Sequence, residues 1–286
     1  MSGRSPSRAR RASGGGRFYV WGQGERYWSV TTIIGGGIPK DALKWWAAKS
    51  VAEFAYDEAS NWLGMTRDRA VDYLKREPFR FTAGRADVGS AVHAVAEAYA
   101  LKKPAPPMRT LEERAIVAAF LDFTKRARPT FVATEASVYS RAQKYAGTLD
   151  AIADFPLDAL AELGPHPWTP TDGAGHVRLL IDYKTGGDVA DGKGVYPEAA
   201  LQLNAYAGAD FIGLPDGTEG AMPAVDGAAV LQIGAQGWRF VPVRLGDDVR
   251  KAFLYAREVY RWCESTSKTV LGDPLEHVLD TNPLEA

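Results

Sequence analysis

The sequence predicts an α/β fold: a central mixed β-sheet flanked by helices, with a helical region before it. Three observations predict it. Between Tyr145 and Phe211 the segments YAGTLDAIADF and LLIDYKTGG read as strands, and PEAALQLNAYAGADF then reads as a helix. Upstream, from Pro39 to Arg126, apolar residues recur at helical spacing. The 286 residues are 46 % apolar, which suits one large globular core with additions.

Composition sets bounds on function. No apolar run approaches the roughly 20 residues of a membrane span. The N-terminus is rich in arginine but no hydrophobic region follows, so it is not a secretory signal. One cysteine, Cys263, excludes an internal disulfide and fits a reducing, cytoplasmic setting. The net charge of −1 hides an asymmetry. Residues 1–17 hold Arg4, Arg8, Arg10, Arg11 and Arg17 and no acid, and the rest carries 29 basic against 35 acidic residues. A polyanion must therefore be held by local patches rather than by the global field.

In chain order, residues 1–17 read as a disordered basic tail, either a phosphate-touching arm or a solvated end. FYVWGQGERYWSVTTII reads as a hairpin turned at Gly22-Gln23-Gly24, and Gly35-Gly36-Gly37 breaks the pattern. A helix from Pro39 and Asp41 to Tyr56 carries Leu43, Trp46, Ala47 and Val51 on one stripe, with Trp45 and Trp46 read as core. Thr66 caps a further helix to Arg76. From there to Arg85 lie Arg67, Arg69, Lys75, Arg76, Arg80 and Arg85, either a phosphate-contact region or a face of local ion pairs with Asp68, Asp72 and Glu77.

Asp87 to Leu101 is a helix of small residues that can approach a sheet closely and would carry His93 to a metal. A lone helical histidine is otherwise structural. Glu97 shares its face, as a partner of the ring or as a solvated acid. Leu111 to Arg126 is an amphipathic helix, and Phe131 to Ser140 and Tyr145 to Phe155 are strands. Gly147 allows a bulge or a close approach that re-aims Asp150. Residues 156–176 read as a flap over the cleft. After the strand Val177–Lys184, residues 187–193 satisfy G-x-x-x-x-G-K. Gly194 stands where a P-loop needs its hydroxyl, and Asp188 and Asp191 would repel phosphate. Glu198 to Phe211 is a helix, Ala228 to Leu245 a hairpin turned near Gln236-Gly237, and Asp247 to Glu264 the closing helix.

The chemistry gathers in the middle. Side chains alternate along a strand, so Asp182 and Lys184 share a face while Tyr183 points away. Gln202 and Tyr206, four apart, share a helix face. Two carboxylates, Asp150 and Asp182, with a lysine beside one of them suit a hard divalent cation and an activated water or phosphate.

These residues carry a resemblance. Gly147-x-x-Asp150, Ile181-Asp182-Tyr183-Lys184 and Gln202-x-x-x-Tyr206 resemble the PD-(D/E)xK nuclease superfamily and, within it, the RecB-like branch with phage exonucleases and CRISPR-associated adaptation nucleases. Gly89-x-x-x-His93 fits that branch's upstream histidine, and Glu135 sits where an acid often precedes G-x-x-D. YWSVTTIIGG followed by PKDALKWWAAKSVAEFA is similar to the opening of actinobacteriophage members. The resemblance covers residues 18–262. It departs from the superfamily in having Leu149 where a proline precedes the first aspartate.

The resemblance implies a restriction-endonuclease-like core over 129–264. Before it lie the basic tail (1–17) and an N-terminal hairpin and helical region (18–128), and after it a C-terminal tail (265–286). It implies one or two Mg²⁺ or Mn²⁺ ions held by His93, Asp150, Asp182 and the Tyr183 carbonyl. Lys184, Gln202 and Tyr206 act on the phosphate or the DNA strand. Glu135 either joins the metal shell or binds its water, or, as an isolated strand acid, faces solvent. Some relatives hold an iron–sulfur cluster on four cysteines, which one cysteine excludes here. The implied activity is a DNA exonuclease of phage recombination, repair or replication in the host cytoplasm, with a recombinase or single-strand-binding protein as partner. An endonuclease of the same fold, a catalytically weak DNA-binding accessory protein, a P-loop hydrolase and a structural phage protein are the competing readings.

Overall fold

The computed structural model describes residues 9–12, 15–171, 173–186, 189 and 194–275, with the backbone alone for 81–88. The strands are β1 (Ala9–Arg11), β2 (Arg17–Trp21), β3 (Glu25–Ser29), β4 (Thr130–Ser140), β5 (Tyr145–Pro156), β6 (His176–Thr185), β7 (Phe211–Gly213), β8 (Glu219–Ala221), β9 (Gly227–Gly234) and β10 (Gly237–Val243). The helices are α1 (Val30–Gly37), α2 (Asp41–Asp57), α3 (Ala59–Trp62), α4 (Arg67–Lys75), α5 (Glu77–Ala100), α6 (Leu111–Ala127), α7 (Leu157–Leu163), α8 (Glu198–Ala207) and α9 (Asp247–Glu264).

All ten strands belong to one mixed sheet, and β5 is its hub. On one side β4 runs antiparallel to β5 along its whole length. On the other side β5 is shared. β3 pairs with it in parallel at Tyr145 and Ala146, and β6 pairs antiparallel from Ala151 to Pro156. Residues 147–150 of β5 lie in the fork between β3 and β6. β6 continues in parallel to β9, and β10 closes that edge.

Two apolar cores cover the two faces. Val30, Ile33, Leu203, Tyr206, Phe253 and Tyr260 bring α1, α8 and α9 onto one face. Val92, Ile116, Phe120 and Phe123 bring α5 and α6 onto the other. The helices on the sheet bury one side against it, the general solution for a sheet with two apolar faces, whereas α2 and α3 have no buried residue. α6 starts on a capping box in which Thr110 and Glu113 satisfy each other's backbone N–H groups.

Several expectations need correction. Residues 9–11, read as part of a disordered tail, pair with β2, while residues 1–8 and 13–14 lie outside the described residues. Val30-Thr-Thr-Ile-Ile does not prolong the hairpin. Ser29 caps it as helix α1, which runs through the three glycines. Two of those glycines pack: a Cβ at Gly36 would stand 2.6 Å from Tyr260 Cδ2, and one at Gly37 would overlap the Ala256 carbonyl of α9. Helix α5 begins at Glu77 rather than Asp87, because Pro78 is well placed in a first turn.

Trp45 is 79 % exposed, not core, since α2 packs on α4 and α5 away from the sheet. Residues 156–176 form no flap. They contain α7, and Trp168 packs into the core shared with α6. α8 ends at Ala207, and Phe211 starts β7.

Candidate metal and phosphate site

The fork in the sheet holds the site. The β5–β6 ladder ends at the pair Ala151 and Ile181, so Asp150 and Asp182 are the first residues past the last rung. The lost rung is replaced by a side chain, because Tyr183 N–H donates to Asp150 Oδ2 at 2.6 Å. Beyond it lies a cleft of about 530 Å³. His93, Glu135, Asp150, Asp182, Tyr183, Lys184, Gln202 and Tyr206, each singled out in the sequence, all line it.

The pleat of the sheet breaks here. Leu149 packs in the core under α8 and Ala151, two residues on, packs in the core under α6. Strict alternation would place both on one face. On β4, Glu135 faces Asp150 between the paired residues Thr134–Ala151 and Ala136–Leu149, and it has φ +46°. A left-handed non-glycine residue costs roughly 1–2 kcal/mol. This irregularity, not a bulge at Gly147, turns Asp150. Gly147 has regular partners, and its role is the close approach: a Cβ there would lie 2.9 Å from Tyr206 Cζ and Oη.

α5 brings His93 against the sheet. Its Nδ1 lies 3.0 Å from Glu135 Oε1 and 3.7 Å from Asp150 Oδ1. One ligand atom from each of His93, Glu135 and Asp150 falls within 4.8 Å of the others. Asp182 stands beside this trio and is engaged differently. Gln202 Nε2 donates to its Oδ1 at 2.7 Å, and Lys184 Nζ lies 2.6 Å from Oδ2 as an ion pair. Glu135, left open between the metal shell and solvent by the sequence, is thus in the tightest group. The Nδ1 of His93 is fixed by Glu135, and Glu97 lines the cleft one turn further along α5.

The electrostatics follow from these distances. Burial pulls the His93 imidazole down. The hydrogen bond that the ring donates to Glu135 and the charges of Asp150, Glu135 and Asp182 outweigh it and raise the ring to about 9. Burial and the charge of Asp182 raise the Asp150 carboxyl to about 7, against the pull of His93, Lys184 and the Tyr183 N–H. Burial likewise holds the Tyr206 phenol well above its ordinary value, helped by the charges of Tyr19, Asp150 and Asp182 and opposed by Arg17. At neutral pH the imidazolium is the cation that the acids already hold. Three carboxylates and one imidazole form a donor set that suits Mg²⁺ or Mn²⁺.

The sequence reading missed Arg17, Thr31 and Thr148, which also line the cleft. Arg17 was read as the end of the tail. The alternation Arg17-Phe-Tyr19-Val-Trp21, with Tyr19 and Trp21 buried, was the available signal. Four of the six basic residues between Arg67 and Arg85 pair with acids on their own helices: Arg67 with Asp68, Lys75 and Arg76 with Asp72, and Arg80 with Glu77. The Arg85 side chain lies outside the described residues, as do residues 187, 188 and 190–193 of the G-x-x-x-x-G-K segment.

The fold and the site together define a mixed α/β protein with a carboxylate–histidine cluster in a fork of its sheet. No protein-family model matches the chain, and no curated protein matches it. Among the described residues no helix is long and apolar enough to cross a membrane.

Proposed function

We propose that the protein is a metal-dependent DNA nuclease with the restriction-endonuclease-like core, an exonuclease acting in phage DNA recombination, repair or replication. The observation that carries this reading is the meeting of Glu135, Asp150, Asp182 and His93 in one cleft with Lys184 at its wall. Like charges crowd there beyond what His93 and Lys184 neutralise, and a divalent ion answers that excess. DNA is the substrate class that the sequence resemblance implies. The setting is the host cytoplasm, with a recombinase or single-strand-binding protein as partner.

His93, Glu135, Asp150 and Asp182 would hold Mg²⁺ or Mn²⁺. The bound ion supplies charge stabilisation at the phosphate and an acidified water. Lys184 faces the phosphate from Asp182 and offsets negative charge as it grows on the non-bridging oxygens. Gln202 holds Asp182 in place. Tyr206, packed over Gly147, forms the wall against which the strand is oriented. In the reaction the water oxygen bonds to phosphorus, the P–O bond to the leaving sugar oxygen breaks, and the water's proton is lost as the leaving oxygen gains one.

The test is cleavage of end-labelled linear and closed circular DNA with Mg²⁺, Mn²⁺ or EDTA, beside Asp182→Ala. Metal-dependent loss of linear DNA only, abolished in the variant, is the expected result. Cutting of circles moves the assignment to an endonuclease. DNA binding without cleavage in any metal moves it to an accessory protein. Lys184→Ala is expected to reduce turnover by on the order of a hundredfold or more with little change in DNA affinity. Wild-type turnover in that variant removes the role given to Lys184.

A further inference from the structure

We propose that the ribbon formed by β1 and β2 is a phosphate track that runs into the cleft, with Arg11 and Arg17 binding backbone phosphates of the nucleic-acid strand next to the scissile one. The inference rests on the nuclease reading and adds to it the groups that grip the strand.

Arg11 of β1 is in register with Arg17 of β2. Directly opposed residues share a face of a ribbon, and like charges placed that way repel. Neither guanidinium is paired with a carboxylate among the described residues. Elsewhere the chain behaves differently: Arg76, Arg126, Arg178 and Arg244 each have an acid within ion-pair distance. Two opposed cations without counter-charge are what a polyanion requires and what folding alone disfavours.

The pair is also aimed. Arg17 N–H donates to Thr32 Oγ1 at 2.9 Å, and Arg17 Nη2 donates to Thr31 Oγ1 at 3.2 Å. A neutral hydroxyl orients the guanidinium while leaving its charge and remaining donors free. Arg17 and Thr31 line the same cleft as Lys184. Tyr19, on the same face of β2, bonds Thr148 at 2.9 Å and fixes the ribbon to the open edge of β5.

Charge balance makes such a grip necessary. Glu97, Glu135, Asp150 and Asp182 all line the cleft, and the chain after residue 17 carries more acids than bases. An anionic strand is repelled by such a body unless local cations hold it. In α4 and at the start of α5, by contrast, Arg67, Lys75, Arg76 and Arg80 each stand within ion-pair distance of a neighbouring acid.

The test uses the full chain carrying Asp182→Ala to block cleavage, with fluorescent single-stranded and duplex DNA followed by anisotropy over a salt series. Arg11→Ala and Arg17→Ala are each expected to weaken binding about tenfold at low salt and to lower the slope of log affinity on log salt by about 1, equally for unrelated sequences. The double variant loses about 2 from the slope, while Arg244→Ala leaves it unchanged. Melting temperatures at low salt stay level or rise, because a like-charge pair is removed. Unchanged affinity and slope in the folded double variant overturn the track, as does a parent protein that binds neither DNA. Cleavage by the chain with Asp182 intact is scored separately. If it persists while the slope does not move, the track fails alone. If the slope moves and no metal supports cleavage, the nuclease reading fails and the phosphate track stands.

Discussion

Gly147→Ala tests the geometry that joins the fold to the site. The added methyl would stand 2.9 Å from Cζ and Oη of Tyr206, and nearer still to Cε1. Carbon atoms in contact sit about 3.5–4.0 Å apart, so the ring must retreat by roughly 1 Å or more. It has little room, being 2 % exposed within the core that includes Leu149, Leu203 and Ala205. The strain must pass to α8, which also carries Gln202 and its bond to Asp182. Overpacking of this kind costs about 1–3 kcal/mol, a fall in melting temperature of about 2–10 °C in a chain of this size. Chemical denaturation and calorimetry of the two proteins measure it.

Two companions make the reasoning refutable. Gly35→Ala, where a Cβ meets nothing, should be neutral or stabilising by up to about 1 kcal/mol, since alanine is the better helix former. In a Tyr206→Leu background the cost of Gly147→Ala should largely vanish, giving a coupling energy of about 1–2 kcal/mol. An equal cost in both backgrounds would mean that the methyl is resisted by something other than this ring.

Two further predictions concern backbone and pH. At Glu135, φ +46° inverts the usual ranking of alanine over glycine, so Glu135→Gly should be about 1 kcal/mol more stable than Glu135→Ala by urea titration. Both variants should lose affinity for Mn²⁺ in calorimetry, and alanine proving the more stable would sink the left-handed assignment. Tyr27 is buried, and burial, then its hydrogen bond to Glu25 and that group's charge, raise its phenol to about 12. The neutral form is favoured in the folded state. Its contribution is therefore whole below pH 10 and is lost as pH rises through 12. Tyr27→Phe should flatten the fall in melting temperature across that window, and an unaltered pH profile would show that other groups set it.

The parts of the fold that were legible in the sequence are those where local pattern and tertiary need agree. Asp247 to Glu264 is read and observed as one helix because its apolar stripe, with Phe253, Ala256 and Tyr260, meets a face that wants it. β4, β5, β6 and the β9–β10 hairpin are apolar or alternating over seven or more residues. The illegible parts are those where tertiary contact overrides local preference. Three glycines in a row argue against a helix, yet α1 needs two of them, Gly36 and Gly37, to approach α9. β7 and β8 have three residues each, too few for a period to register. The site divides in the same way. Asp182 with Lys184 and Gln202 with Tyr206 follow from spacing within single elements, and Asp150 from the motif that the resemblance supplies. The contact of His93 with Glu135, 42 residues apart, depends on how α5 crosses β4, and no spacing reports that.

Lys102, Arg128 and Lys144 hold left-handed backbones away from the cleft, but several other departures from what folding alone favours meet at it. Glu135 holds a left-handed backbone, and β5 loses its ladder partner at Asp150 and changes face there. Two carboxylates are buried within reach of each other's charge. Arg11 and Arg17 oppose one another, and Arg17 lines the cleft. Each of these costs stability, and strain of this sort persists where the surrounding structure enforces it. On the proposed function each would become favourable in one complex: a divalent cation among the acids would relieve their repulsion, and a phosphate strand on the ribbon would relieve that of the arginines. The two ligands also help one another, because the cation turns an acidic cleft into one that an anionic strand can enter. It follows that DNA and Mn²⁺ should bind with positive coupling, each tightening the other by the same factor. Anisotropy of the Asp182→Ala chain is unsuited to this, since that variant weakens the metal site itself. Lys184→Ala keeps the four acidic and imidazole ligands and slows turnover, so affinity for DNA measured in it with and without Mn²⁺ gives the coupling directly. Equal affinities in the two conditions would separate the acid cluster from the arginine ribbon and leave the shared location without a shared cause.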